Sequence, residues 1–135
     1  MKDKVAYITG GTKGIGFGIA QVLLQNGIKV AVSGRKQEDA EEAADILSKD
    51  QSMVFGIASD VKNFEDEKNA ISEIIKKFGR LDYVIANAGL GIFKPVDQLD
   101  TKDWNNMMDT NLTGVFHTLK ASVEELKKTE GYFIS

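Results

Sequence analysis

Short unbroken apolar runs alternate along the chain with longer stretches whose apolar residues return every three or four positions. The first run, Val5-Ala6-Tyr7-Ile8, predicts a strand covered on both faces. Beyond Gly10, Gly11, Gly14 and Gly16, the apolar residues Ile15, Ile19, Val22 and Leu23 return at helical spacing. They predict a helix from about Ile15 to about Gln25, stopped by Asn26-Gly27. A second strand follows at Ile28–Ser33, then a turn at Gly34-Arg35-Lys36, then a charged helix over 37–48. Ala40, Ala43, Ala44 and Leu47 form the inner face of that helix. Met53–Ala58 reads as a third strand, closed by Ser59-Asp60.

The same alternation continues to the last residue. Asn63 suits an N-cap, with Asp66 in a capping-box position, for a helix that buries Ala70, Ile71, Ile74, Ile75 and Phe78. That helix stops at Gly79, and Leu81–Ala86 predicts a fourth strand ending in Asn87-Ala88-Gly89. Residues 90–99, with the only proline (Pro95), read as a loop. One long helix is expected from Thr101 to just before Gly131, with Trp104, Met107, Met108, Leu112, Val115, Leu119 and Leu126 on a broad apolar face. Tyr132–Ser135 starts a fifth strand. Regular strand–helix alternation predicts an α/β fold with a parallel, doubly wound sheet in the order 3-2-1-4-5. Its switch point lies between the first and fourth strands, where ligands of open α/β sheets bind.

Composition narrows the function classes. A chain of 135 residues with 42% hydrophobic and 27% charged residues suits one domain, and its net charge of −3 argues against a nucleic-acid or membrane-surface binder. The absence of cysteine removes disulfides, thiolate metal sites and thiol nucleophiles. His117, the only histidine, lacks the partners a metal site needs. No stretch reaches transmembrane length and no signal-like N-terminus is seen, so a cytoplasmic location is the expectation.

The glycine turn carries the chemistry. A strand, a glycine-rich turn and a helix start make an anion site, because backbone N–H groups and the helix dipole converge there. The spacing G-x-x-x-G-x-G (Gly10, Gly14, Gly16) differs from the usual G-x-G-x-x-G of dinucleotide folds. A Walker A loop is excluded, since Gly14 rather than Ser or Thr follows Lys13. A plain tight turn would also use glycine. Four glycines in seven residues at a helix start favour phosphate.

These residues resemble the short-chain dehydrogenase/reductase family. Thr9-Gly10-x-x-x-Gly14-x-Gly16 is similar to its cofactor motif, and Asn87-Ala88-Gly89 to its N-A-G motif, with Ala86 where a first Asn is frequent. Asp60-Val61 resembles its adenine-contacting pair, and Asn111 its helix asparagine. The resemblance spans nearly the whole chain. It implies a Rossmann-like fold and cofactor contacts from Gly10, Thr12, Lys13, Gly14, Ile15, Gly16, Asp60, Val61, Asn87, Ala88 and Gly89. It also implies a hydride transfer between a nicotinamide dinucleotide and a carbonyl or secondary alcohol. Asn111 would help hold a water of the proton relay. The bland reading of Asn111 is a satisfied core amide, since an unpaired buried one costs about 1–3 kcal/mol.

The end of the second strand selects the cofactor. An acidic residue there would bind the ribose hydroxyls of NAD and repel a 2′-phosphate. Gly34 holds that place, and Arg35, Lys36 and Lys13 surround it with positive charge. NADP is therefore expected over NAD, with Arg35 making paired hydrogen bonds to the 2′-phosphate.

The family's proton donor is a Tyr-x-x-x-Lys pair, and these 135 residues contain none. Four residues after Tyr7 and Tyr83 stand Gly11 and Asn87, and Tyr132 is too near the end to have such a partner. Ser135 tempts as the family's serine, but that residue more often lies further on, so it is left without a role. A stop inside an apolar strand reads as the N-terminal half of a longer oxidoreductase, inactive by itself. The alternative is a mature, non-catalytic nucleotide-binding or interaction module of 135 residues. An intact mass of the native protein separates the two. The long helix resembles the family's subunit interface, which implies a homo-oligomer.

Overall fold

The computed structural model describes residues 2–135. Its strands are β1 (Val5–Ile8), β2 (Lys29–Gly34), β3 (Val54–Ala58), β4 (Tyr83–Ile85) and β5 (Tyr132–Ile134). The helices are α1 (Gly14–Gln25), α2 (Gln37–Leu47), α3 (Phe64–Phe78), α4 (Thr101–Met108) and α5 (Gly114–Thr129). The five strands form one parallel sheet in the order β3-β2-β1-β4-β5, as the alternation of elements predicts.

Successive side chains of a strand face opposite ways, and β1 shows the result. Val5 and Tyr7 join a core with Ile57, Ile71, Ile74, Leu81, Val84 and Leu126, under α3 and α5. Ala6 and Ile8 join the opposite core with Ala20, Ile28, Val30, Val32 and Ala43, under α1 and α2. A strand buried on both faces must read as a continuous apolar run, and β1 does.

The helix ends follow their local chemistry. The Asn63 side chain caps α3 by accepting from the Glu65 and Asp66 amides, and Gly79 ends it in the left-handed region. The capping box expected there does not close: Asp66 accepts from the Asp60 amide at 3.0 Å, tying the helix to the end of β3 instead. In α1, Ile15 and Val22 are exposed, and the small residues Gly16 and Ala20 face the sheet. Close approach of a helix to a sheet selects small residues, which apolar spacing alone does not register.

The largest departure lies in the last third. The expected single helix is divided into α4 and α5 by a π-helical segment at Asp109–Thr113. Of its expected apolar face, Trp104, Leu112 and Leu119 are exposed, Met107, Met108 and Val115 half-buried, and only Leu126 is buried; Phe116 is exposed beside them. The buried residues of α5 are Gly114, Thr118, Ser122 and Leu126. The side chains of Thr118 and Ser122 bond back to the carbonyls of Gly114 and Thr118, which lets them sit inside without orphaned hydroxyls. Among the described residues no helix is long and apolar enough to cross a membrane.

Candidate functional site

The strand order changes direction between β1 and β4, so the loops after these strands border one crevice. After β1 the chain turns sharply: Gly10 and Gly14 have φ of +62° and +61°. A side chain at Gly10 would place its Cβ 2.9 Å from Ala88 Cα, so glycine is required for space as well as conformation. Gly11 donates from its amide to the Ser33 carbonyl at 3.0 Å, which fixes the turn against the end of β2.

Asn87 is the bracket that joins the two loops. Its Nδ2 donates to the carbonyls of Thr9 and Gly10, both at 3.1 Å. The Ala88 amide donates to Thr9 Oγ1 at 3.0 Å. A Cβ at Gly16 would collide with Asn87 Nδ2 and lie 2.8 Å from the Gly10 carbonyl. Gly16→Ala is therefore expected to displace Asn87, cost about 1–3 kcal/mol of stability and weaken nucleotide binding. Thermal denaturation together with a nucleotide titration checks this.

The turn delivers the start of α1 with no side-chain cap at its N-cap residue, Lys13. The first N–H groups of that helix point outward with the positive end of the dipole, the arrangement an anion satisfies. Lys13, Gly14 and Ile15 are exposed, Ile15 at 79%. The turn also packs against the end of β2, where a Cβ at Gly34 would lie 2.7 Å from Thr12 Cγ2. Arg35 and Lys36 leave that end exposed, and among the described residues neither they nor Lys13 make an ion pair. Gln37, which the sequence pattern did not single out, holds the Arg35–Lys36 turn in place. Its Oε1 accepts from the Ala58 amide at 2.8 Å and its Nε2 donates to the Gly56 carbonyl at 3.3 Å.

Asp60 and Val61 follow β3 beside this edge. The Val61 side chain is buried against Gly114, and its carbonyl lies 2.7 Å from Nδ1 of the half-buried His117. A carbonyl only accepts, so His117 carries its proton on Nδ1. The Val61 side chain is packed inside against α5 and is not exposed at the crevice.

Beyond Asn87, an open cavity of about 480 Å³ is lined by Ala86, Ala88, Gly89, Leu90, Asn111, Leu112, Val115 and Ser135. Asn111 is exposed, which corrects the buried position inferred from the apolar face. It sits within the π-helical segment, a geometry frequent at functional sites. Its Oδ1 accepts from the Leu90 amide and its Nδ2 donates to the Leu90 carbonyl, both at 2.7 Å. One hydrogen and one lone pair of the amide remain free for another partner. The cavity also brings in Ser135, to which the sequence reading gave no role.

Residues 4–134 match the family described as short chain dehydrogenase. The chain is 40% identical over 134 residues to the peroxisomal 2,4-dienoyl-CoA reductase of Saccharomyces cerevisiae, across 96% of this chain and 46% of the yeast protein. An uncharacterized oxidoreductase of Staphylococcus aureus is 33% identical over 136 residues, across 100% of this chain and 58% of its own length. Among solved structures, an alcohol dehydrogenase from the archaeon Thermococcus sibiricus, complexed with 5-hydroxy-NADP, matches with a TM-score of 0.89 and 38% identity. That match covers 96% of this chain and 56% of the archaeal one. The chain thus spans about half the length of these relatives.

Proposed function

The chain belongs to the short-chain dehydrogenase/reductase family, and from that premise we propose that residues 1–135 are the cofactor-binding part of an NADP-dependent oxidoreductase. The observation that carries this reading is the uncapped start of α1 lying against the β2 end, which offers Gly34, Arg35 and Lys36 and no carboxylate. Pyrophosphate would be held by the amides of the Gly10–Gly16 turn, with Thr12, Lys13 and Ile15 around it. Arg35, assisted by Lys13 and Lys36, would hold the 2′-phosphate. Asp60 and Val61 would border the adenine, and Asn87, Ala88 and Gly89 the nicotinamide half. An NADP analogue bound to the archaeal relative supports a nicotinamide dinucleotide in general.

The cofactor, when bound, supplies a hydride to a carbonyl or accepts one from a secondary alcohol. This chain's own part is to orient it. The cavity beyond Asn87 would receive the substrate, and the free hydrogen and lone pair of Asn111 would position a water beside it. Proton donation to the developing alkoxide needs a titrating group that these residues do not supply. The chain by itself is therefore expected to bind NADPH without turning over a carbonyl. Exposed Trp104, Leu112, Phe116 and Leu119, on α4, the π-helical segment and α5, support a homo-oligomer. We also read the protein as cytoplasmic, while the yeast relative is peroxisomal by name.

A titration followed by NADPH fluorescence, with NADH in parallel, tests the cofactor reading. Saturable NADPH binding, at least tenfold tighter than NADH, is the expected result. Tighter binding of NADH would overturn it.

A further inference from the structure

A buried cluster with no assigned task lies directly under the adenosine side of this site. Glu67, on α3, is fully buried, and its Oε1 accepts from the Tyr7 hydroxyl at 3.0 Å and from the Ser59 hydroxyl at 2.9 Å. The Tyr7 hydroxyl is also 3.0 Å from Ser33 Oγ. Tyr7 lies in β1, while Ser33 and Ser59 close β2 and β3 next to Gly34-Arg35 and Asp60-Val61. The Ser59 amide donates to the Gly34 carbonyl at 2.8 Å, so one residue later the two strand ends are already joined.

We propose that Glu67 is a positioning residue for the nucleotide site, tying the ends of β2 and β3 to β1 through the hydroxyls of Tyr7, Ser33 and Ser59. Its nucleotide-binding consequence rests on the function proposed above.

The surroundings of Oε2 fit the neutral acid better than the carboxylate. Glu67 Oε2 is buried without a hydrogen-bond partner, and among the described residues Glu67 makes no ion pair. A buried anionic oxygen with neither donor nor cation is costly. The buried Thr118 hydroxyl of α5 gives its proton to the Gly114 carbonyl at 2.9 Å and so does not serve Oε2 as a donor. An unpaired oxygen costs less on the neutral acid than on the ion, and Oε1 accepts from Tyr7 and Ser59 in either state.

The surrounding charges act in the same direction. Burial pushes the Glu67 carboxyl up, further than the bonds from Ser59 and Tyr7 pull it down, and the Asp66 carboxylate adds to the rise. Tyr7, the other titratable group in the cluster, is held as the phenol by burial and by Glu67. A carboxyl raised in the folded state contributes stability that is complete below its unfolded value of about 4.3 and is lost as pH rises through the folded value. The tie between the strand ends should loosen over that rise.

Hydrogen exchange at the Ser59 amide, corrected for intrinsic rates, reads this directly as pH is raised from the unfolded carboxyl value of about 4.3 until the Glu67 carboxyl has ionised. In the unmodified protein its protection is expected to fall at least tenfold; in Glu67→Gln, an isostere of the neutral acid, less than twofold. Over the same range the ratio of NADPH dissociation constants, unmodified to variant, should rise at least threefold. Superimposable pH profiles for the two proteins would overturn the proposal. If neither protein binds NADPH, the functional reading fails while the exchange comparison still decides the role of Glu67. Should Glu67→Gln not fold, the Glu67 carboxyl-carbon titration in the unmodified protein takes its place. It must coincide with the loss of Ser59 protection, and separate pH ranges would refute the tie.

Discussion

Arg35→Asp is expected to weaken NADP binding about 100-fold while leaving NAD binding unchanged or improved. The guanidinium presents a planar fork of N–H donors that pairs with a phosphate through two parallel hydrogen bonds, and each is strengthened by charge. Asp in its place removes both bonds and sets a negative charge against a dianionic group. The same carboxylate can accept from the ribose hydroxyls of NAD, which carry no phosphate. The site is exposed, so salt screens part of the effect, and the two nucleotides must be titrated in one low-salt buffer. Because the Arg35 side chain supports nothing else among the described contacts, the melting temperature should hold. A variant that melts normally and still binds NADP as before would remove Arg35 from the site.

Asp82→Ala should produce the reverse pattern, lost stability with little change in nucleotide affinity. Asp82 is 2% exposed and lies at the opposite end of the sheet from the glycine turn. Its carboxylate accepts from the Val5 amide at 3.0 Å, from Lys4 at 3.0 Å and from Arg80 at 2.8 and 2.6 Å. Its carbonyl accepts from the Tyr132 amide at 2.9 Å, so one residue joins β1, β4 and β5. Truncation leaves the Val5 amide without a partner and two cations without a counter-charge. A loss of about 2–4 kcal/mol follows, seen as a fall of about 10 °C in melting temperature. Burial pushes this carboxyl up, but the bonds from Arg80, Val5 and Lys4 outweigh it and hold the pKa below the usual range. A lowered folded value contributes stability above the unfolded pKa of about 3.9, and that contribution is lost as pH falls through the folded value. The gap between Asp82→Ala and the unmodified protein should therefore close in acid. A constant gap from pH 7 down to pH 2 would mean that the ionised carboxylate is not what stabilises the sheet.

Much of this architecture can be read directly from residue pattern. The unbroken apolar runs of β1 and β2 mark strands buried on both faces, and the glycines after β1 mark the turn that a Cβ would block. The α4–α5 region could not be read the same way. Hydrophobic spacing located an apolar face there, but whether that face turns inward depends on how near another element comes. Gly114, Thr118 and Ser122 allow α5 to pack closely, with Leu126 the one large apolar residue buried beside them and Phe116 and Leu119 left outside. The π-helical segment around Asn111 likewise has no signature in the sequence, because it arises from a local change in backbone pairing.

Glu67 was hidden for a different reason. An acidic residue on a charged helix reads as a solvated position, yet it lies three and four residues before Ala70 and Ile71, on the buried face. That spacing was the available signal. Its partners Tyr7 and Ser59, with Ser33 bonded to Tyr7, come from β1, the end of β3 and β2, so only the assembled sheet brings the cluster together.

Backbone amide resonances followed during addition of NADP report where the nucleotide binds. The largest shifts are expected on Gly10–Gly16, Gly34–Arg35, Asp60–Val61 and Asn87–Gly89, with Gly14, Ile15 and Gly16 foremost. Shifts confined to other surfaces, or none at saturating NADP, would contradict the proposed site.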